Sequence, residues 1–146
     1  MIDINRIDCN CYLQLYTSDY MPKDYREIHN TVTQSGKNAI ACQLLTSSTI
    51  AKPGWMELGT GNPSATVLGS YIVGSRVAFD SMVRSSNVLT MVSSWAAGVG
   101  TGAITEAGTF NVVTQNTVDM YMSSSFAVIN KSTGDSLVVT WTLTVN

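Results

Sequence analysis

The sequence is short of charge: charged residues make up 12% of its 146 residues, and the formal net charge is −2. Charged residues usually account for about a quarter of a soluble chain. Eight lysines and arginines stand against ten aspartates and glutamates. Because no basic surplus is present to neutralise phosphates, we expect no nucleic-acid partner. Disorder requires low hydrophobicity together with high charge, and the 45% apolar content excludes it.

Long apolar runs are also missing. No stretch of about 18 consecutive apolar residues is present, so the sequence predicts no membrane partner. The first eight residues alternate isoleucine with charged or polar residues, and they lack the apolar segment of a signal peptide. We therefore do not expect export by a standard signal peptide.

Cysteine is scarce, and the three present, Cys9, Cys11 and Cys42, are an odd number for a disulfide framework. In an extended chain Cys9 and Cys11 would lie on one face about 7 Å apart, which is too far for an unstrained bridge. We interpret all three as reduced thiols, as is usual in a cytosolic protein. The alternative is a zinc site formed by these cysteines and His29, although zinc-binding cysteine pairs usually have two to four residues between them.

Groups that could carry catalysis are few. His29 is the only histidine, and a Ser-His-Asp or Cys-His arrangement would require it. Gly98–Ala103 nominally matches a dinucleotide-binding fingerprint, but no strand-helix-strand unit surrounds it, so we expect a turn. Gly59–Gly61 lacks the lysine and serine of a phosphate loop. The sequence predicts no catalytic, cofactor-binding or metal-binding residue, and we expect a protein that is not an enzyme and has no cofactor.

Isolated acidic residues could still provide the pair that glycoside hydrolysis requires. The candidates are Glu57, Asp80, Glu106, Asp119 and Asp135. Nothing in the sequence brings two of them together, and we expect Glu106 to be buried and held by backbone amides at a turn. We expect Trp95 and Trp141 to pack in the core and Trp55 to lie at an edge, although tryptophans can also stack on sugars.

Alternation of apolar and polar residues predicts strands over most of the chain. The clearest run has Leu137, Val139, Trp141, Leu143 and Val145 on one face. Turn-forming segments separate such runs at short intervals, as in antiparallel sandwiches and barrels. Thr33 or Ser35 can cap a single helix over about residues 35–46. The predicted fold class is mainly β: an antiparallel β-sandwich, jelly-roll-like, with one short N-terminal helix and an extended N-terminal arm.

The N-terminal residues differ in composition from the rest, since half of the charged residues and four of the six tyrosines occur by residue 37. We interpret residues 1–34 as a hairpin-like interaction arm and residues 35–146 as the sandwich domain. Two short strands are expected in the arm, one around Ile2 and Ile4 and one after a possible turn at Asp8–Asn10. The arm either pairs with a sheet edge of a neighbouring molecule or folds back on its own domain. Deleting residues 1–30 is expected to leave a folded domain.

Four segments carry a resemblance to a known family. They are residues 55–61 (WMELGTG), 105–111 (TEAGTFN), 129–130 (IN) and 132–142 (STGDSLVVTWT). In their order and spacing they resemble small virion proteins of tailed bacteriophages, of the head-decoration and tail-fibre type. The resemblance starts near Val32 and covers about 115 residues, including the helix. Residues 1–30 do not match it.

The resemblance implies a structural protein that is made in the host cytoplasm and located in the virion. We expect capsid decoration, in which a homotrimer binds the assembled shell of major capsid protein and stabilises it by linkage and avidity. The alternative is a tail-fibre, collar or neck module for tail attachment or host-receptor adhesion, with another virion protein as partner. No small-molecule substrate is expected, although a carbohydrate-acting enzyme built on the same sheets is a third hypothesis.

Overall fold

A computed structural model describes residues 6–146, which form two antiparallel sheets packed against each other. The elements in chain order are β1 (Ile7–Tyr16), β2 (Pro22–His29), β3 (Thr31–Val32), α1 (Gln34–Cys42), β4 (Trp55–Gly59), β5 (Val77–Ala78), β6 (Ser81–Ser85), β7 (Val88–Trp95), β8 (Gly102–Phe110), β9 (Met120–Lys131) and β10 (Ser136–Val145). Sheet A has the strand order β2-β1-β10-β7-β6, and sheet B has the order β3-β9-β8-β4-β5. The predicted mainly-β sandwich is confirmed.

The core lies between the sheets, and the alternation in β10 shows how the sequence builds it. Leu137, Val139, Trp141 and Leu143 are buried as predicted, whereas Val145 is half exposed at the end of the strand. Sheet B contributes buried side chains that include Met56, Leu58 and Ile104. Burial of each large apolar side chain contributes about 1.5–3 kcal/mol relative to exposure, so the paired faces account for most of the stabilisation.

The N-terminal segment is part of the sandwich, which corrects the predicted division into an arm (1–34) and a domain (35–146). Strand β1 lies between β2 and β10, with Cys11 opposite both Ile28 and Trp141. The side chains of Cys9, Cys11, Leu13 and Leu15 belong to the core. The segment folds back on its own domain because alternate positions of β1 are apolar and fill the space between the sheets.

The turn expected at Asp8–Asn10 is wrong, because β1 runs through these residues without interruption. The hairpin turn lies at residues 17–21 instead, where Tyr20 has a φ of 59°. Strand β2 then begins at Pro22, which is compatible with an edge strand because proline's missing N–H can face away from the ladder. The strand expected around Ile2 and Ile4 lies outside the described residues.

The helix is confirmed but is shorter than predicted. Thr33 caps it, and the Thr33 hydroxyl accepts a hydrogen bond from the backbone N–H of Gly36 at 3.1 Å. A Cβ atom at position 36 would lie 2.2 Å from the carbonyl oxygen of Tyr121, so glycine permits the helix to approach β9. Leu44 and Leu45, expected on the buried face of the helix, follow it and are exposed.

The segment Val77–Val83 alternates in sequence as a single strand would, but it is divided between the two sheets. Strand β5 pairs with β4 in sheet B, and β6 pairs with β7 in sheet A. The chain therefore crosses from one sheet to the other at residues 79 and 80. This crossing places β6 at one edge of sheet A.

Candidate interaction surface

Strand β6 is an exposed edge. All five of its residues are exposed, including Met82 at 39% and Val83 at 60%. Within residues 6–146, β6 pairs with β7 and with no other strand. Edge strands present N–H and C=O groups that another chain can pair with. Its one charged residue is Arg84, whose guanidinium donates to the carbonyl oxygen of Ser86 at 2.8 Å.

An apolar pocket of about 500 Å³ lies beside the β6 edge. Met82 and Arg84 of β6 line it, together with residues of the helix, β7, β9 and β10. The lining residues are Val32, Gly36, Ala39, Ile40, Gln43, Lys52, Pro53, Met82, Arg84, Leu89, Met91, Tyr121, Met122 and Leu143. Leu44 and Leu45 follow Gln43 directly and are 90% and 60% exposed. The β6 edge, this pocket and the end of α1 together offer apolar surface for a partner.

A polar groove of about 520 Å³ is formed where β3 pairs with β9. It is lined by residues 29–34, 63–65 and 123–125, most of which carry hydroxyl, amide or imidazole groups. His29 lies here, and its Nδ1 is 2.9 Å from Oδ1 of Asn10. Asn30 Oδ1 and Ser124 Oγ are buried and have no hydrogen-bond partner among the described residues. The groove therefore suits a ligand rich in hydrogen-bonding groups.

The three cysteines are free and differ in their surroundings. Burial raises the pKa of Cys9 to about 12 and raises the pKa of Cys11 well above its ordinary value. The pKa of Cys42 is lowered to about 7. The largest cause is a hydrogen bond from the Ser48 hydroxyl, and hydrogen bonds from the backbone of residues 50 and 49 add to it. Residues 6–146 contain no group of three or more His, Cys, Asp or Glu side chains placed to hold a metal ion. The zinc-site alternative therefore receives no support from the geometry.

Glu106 is buried and held by backbone amides, as predicted. Its carboxylate accepts hydrogen bonds from the N–H groups of Gly61 at 3.0 Å, Gly69 at 2.8 Å and Ser70 at 2.8 Å. A Cβ atom at position 59 would lie 2.3 Å from Oε1 of Glu106. The glycines at 59–61 thus let the loop close around an internal carboxylate, and this arrangement fixes the loop after β4.

A buried ion pair joins Glu57 and Arg76. Arg76 Nη2 lies 2.9 Å from Glu57 Oε2, both side chains are 2% exposed, and Gln115 Nε2 donates to Glu57 Oε1. Arg76 also donates to the carbonyl oxygens of Val112 and Thr114, and its guanidinium lies 3.7 Å from the ring centroid of Phe110. These contacts hold the β8–β9 loop against β4. Arg76 was not predicted as a site residue, because its partner Glu57 lies 19 residues earlier in the chain, on β4.

The remaining acidic candidates also have structural partners or lie apart. Asp80 accepts a hydrogen bond from the Ser94 hydroxyl at 2.6 Å, and Asp119 borders a polar depression beside Tyr121. Asp135 binds Lys23 Nζ at 2.6 Å and accepts from the backbone N–H of Ser132. The Lys23 contact, more than the other causes, holds the pKa of Asp135 below its ordinary value.

A second lysine, which the sequence analysis did not single out, is buried near Asp135. Lys131 is 2% exposed and donates to the carbonyl oxygens of Ala96 at 3.0 Å and Asp135 at 2.6 Å. Burial lowers the pKa of Lys131, and the nearby Asp135 carboxylate opposes that shift. The Asp135 contact stabilises the turn of the β9–β10 hairpin, and the Ala96 contact joins this turn to the segment after β7.

Trp95, Trp141 and the glycine-rich segment lie as predicted, whereas Trp55 lies on an interior strand of sheet B and not at an edge. Trp95 and Trp141 are fully buried, and Trp95 Nε1 donates to the carbonyl oxygen of Ser75 at 2.6 Å. Trp55 is partly buried on β4, which pairs with the short β5 at the edge of sheet B. Gly98–Ala103 forms the turn that leads into β8, with positive φ at Gly98 and Gly100. The core tryptophans are therefore not placed to stack on a sugar.

Comparisons with family models, curated proteins and solved structures found no match to this chain. Across residues 6–146, no helix has both the length and the apolar character needed to cross a membrane. The four segments that carry the phage resemblance occupy β4 with its glycine loop, β8 with Glu106, and the β9–β10 hairpin. These segments build the sandwich, whereas the β6 edge and the two cavities mostly lie outside them.

Proposed function

We propose that this chain is a non-enzymatic structural protein of a tailed-bacteriophage virion, and that it decorates the capsid by binding the assembled shell of major capsid protein. The observation that carries the proposal is the exposed β6 edge beside an apolar pocket. An edge of this kind recognises an extended segment by main-chain hydrogen bonds, while adjacent pockets select its side chains. The shell would supply that segment many times over.

The chemistry of this surface suits repeated, near-neutral contacts. The β6 edge carries one charge, on Arg84, and its exposed side chains include Met82 and Val83. Interface cores are depleted in charged residues and enriched in aromatic residues and methionine. A homotrimer at junctions between capsid subunits would present three such edges. Binding only to the assembled shell would stabilise it by linkage, and the multiple copies would add avidity.

The resemblance supports the same proposal from a different direction. Its segments coincide with interactions that determine the fold, namely the amides around Glu106 and the contacts of the β9–β10 hairpin. The carboxylates of the acidic candidates Glu57, Glu106 and Asp135 are hydrogen-bonded to groups of the protein and do not face an open cleft. A role in assembly needs the sandwich that these interactions stabilise, and it does not require a covalent bond to be formed or broken.

The alternative function is a tail-fibre, collar or neck module that adheres to a host receptor or joins tail components. The polar groove favours it, since hydroxyl and amide groups line a cavity of about 520 Å³. These groups could form hydrogen bonds with the hydroxyls of a glycan. Location on the particle distinguishes the two roles.

The test is cryo-electron microscopy of virions that contain this chain, combined with its copy number per particle by quantitative mass spectrometry. Capsid decoration predicts density repeated over all icosahedral faces, with a β6 edge of each copy against major capsid protein. Density confined to the tail or neck would replace decoration with the alternative. Absence of the chain from purified virions would overturn both roles.

A further inference from the structure

The apolar pocket is built from side chains that can adjust to an occupant. Met82, Met91 and Met122 reach it from β6, β7 and β9, and Ile40 reaches it from the helix. Methionine side chains are flexible and polarisable, and they are common at adaptable binding surfaces. The volume of about 500 Å³ is within the range of ligand pockets in proteins. The pocket is therefore large enough for an acyl chain.

The charges around the pocket have one sign. Lys52 and Arg84 are the charged side chains that line it, and both residues are exposed. None of the described residues lining the pocket is acidic. This combination of a predominantly apolar interior and a cationic rim is complementary to a molecule with an apolar tail and an anionic head.

We propose that the pocket binds a single-chain amphiphile with a carboxylate head, of the fatty-acid class. The tail would contact Ile40, Met82 and Leu89, which line the pocket and are partly exposed, and the head would lie between Lys52 and Arg84. The two cations favour this ligand over an uncharged apolar molecule or an apolar side chain of a second copy. The proposal does not depend on the virion role: a bound amphiphile would take the place of a side chain of the shell segment in the pocket, while the β6 edge itself would stay free to pair.

The charge requirement is tested by isothermal titration calorimetry of the full chain with dodecanoate and with dodecanol, below their solubility limits. Two exposed ion pairs of ordinary strength predict about tenfold tighter binding of the acid. The double variant Lys52→Gln/Arg84→Gln should remove that preference, while Lys37→Gln, on the helix but outside the pocket, should keep it. Equal affinities for acid and alcohol in the unmodified chain would overturn the proposal.

The location is tested by filling the pocket. Met82→Trp, at the mouth, should weaken dodecanoate binding at least tenfold, because the larger side chain occupies the space of the tail. Val83→Trp on the same strand is the matched control, since Val83 does not line the pocket, and it should bind as the unmodified chain does. Ile40→Trp provides a second filling variant. Circular dichroism establishes that each variant is folded, and undiminished binding by both folded filling variants would place the ligand elsewhere and overturn the proposal.

Discussion

The two edges of sheet A differ in both chemistry and role. Strand β2 has eight residues, four of them charged, and Arg26 pairs with Asp24 along it. Strand β6 has five residues, one of them charged, and exposes Met82 and Val83. Charged side chains on an edge strand oppose pairing with other chains, whereas an exposed apolar edge permits it. The same sheet thus has one edge whose charges oppose strand addition and one whose composition permits it.

This comparison reverses the assignment that composition favoured. The tyrosine-rich and charged N-terminal segment has the features of a separate interaction arm, yet it supplies β1 to the middle of sheet A. The surface suited to a partner lies instead in a short segment of ordinary composition after the crossing between the sheets. The exposed charges lie on β2, the edge strand that pairs with β1 of its own sheet. The candidate interface is β6, the edge strand that carries few charges.

The largest expected effect follows from removing the β2 edge together with β1. Deletion of residues 1–30, which composition alone predicted would leave a folded domain, should instead abolish cooperative unfolding, because β10 loses one of its two paired strands and the core loses four buried side chains. Replacement of one of these, Leu13→Ala, should lower the free energy of unfolding by about 2–5 kcal/mol. Urea denaturation followed by tryptophan fluorescence measures both. Leu44→Ala, at a 90% exposed position, should change stability by less than about 0.5 kcal/mol.

The second-largest expected effect is on attachment to phage shells, and it differs between variants of the two edges. Val83→Lys should leave the fold intact and weaken attachment to phage shells at least tenfold, because it places a charge on the strand proposed to pair. Tyr25→Lys adds the same charge to the β2 edge, where Tyr25 is also exposed, and should attach normally. Cosedimentation with shells that lack the protein measures attachment. Equal loss in both variants would remove the distinction between the edges.

A third prediction compares the reactivity of the thiols on β1 with that of the thiol at the end of α1. Cys42 is 7% exposed, against 1% for Cys9 and 0% for Cys11, and its pKa is lowered to about 7, so it should react with iodoacetamide before the other two. Its rate should rise as the pH increases through about 7, and Ser48→Ala should reduce the rate at pH 7. Peptide mapping by mass spectrometry identifies the modified thiol. Early modification of Cys11 would show that β1 is less protected than its burial indicates.

The smallest effect concerns the contact of β2 with the β9–β10 hairpin. Because the pKa of Asp135 is lowered in the folded state, the unfolded chain binds more protons at acidic pH. The stability from this carboxylate is complete above its ordinary pKa of 3.8 and is lost as the pH falls through the lower folded value. Asp135→Asn should therefore lower the melting temperature at pH 7 and have progressively less effect below pH 3.8. If Asp135→Asn lowered the melting temperature by the same amount at every pH, the loss would come from packing and not from the charge.

Local patterns were sufficient to predict much of the fold. The alternation in β10 gave its buried face because one side of that strand meets the core along most of its length. Thr33 was one of two residues expected to cap the helix, because it precedes a helical stripe, and it is the residue that forms the cap. Glu106 was expected to be buried with backbone partners because an isolated acid beside turn glycines has few other ways to be satisfied.

What the sequence did not reveal depends on partners distant along the chain. The position of β1 follows from its pairing with β10, and the role of Arg76 follows from Glu57 on another strand. The β6 edge was missed because Val77–Val83 alternates as one strand would, and the crossing between the sheets has no local signal. The apolar pocket likewise requires the helix, sheet A and β9 to be placed together.

The pairing of the first described strand with the last one has a consequence for synthesis. Asn146 Nδ2 donates to Asp8 Oδ2 across 138 positions, and β1 and β10 are paired along their whole length. Contacts between such distant residues slow folding, because a long loop must close before they are gained. On the ribosome, β1 and β2 must wait for β10 to emerge. The nascent chain would then expose the apolar side of β1 until β10 is available to pair with it, and this interval is when chaperones would matter most.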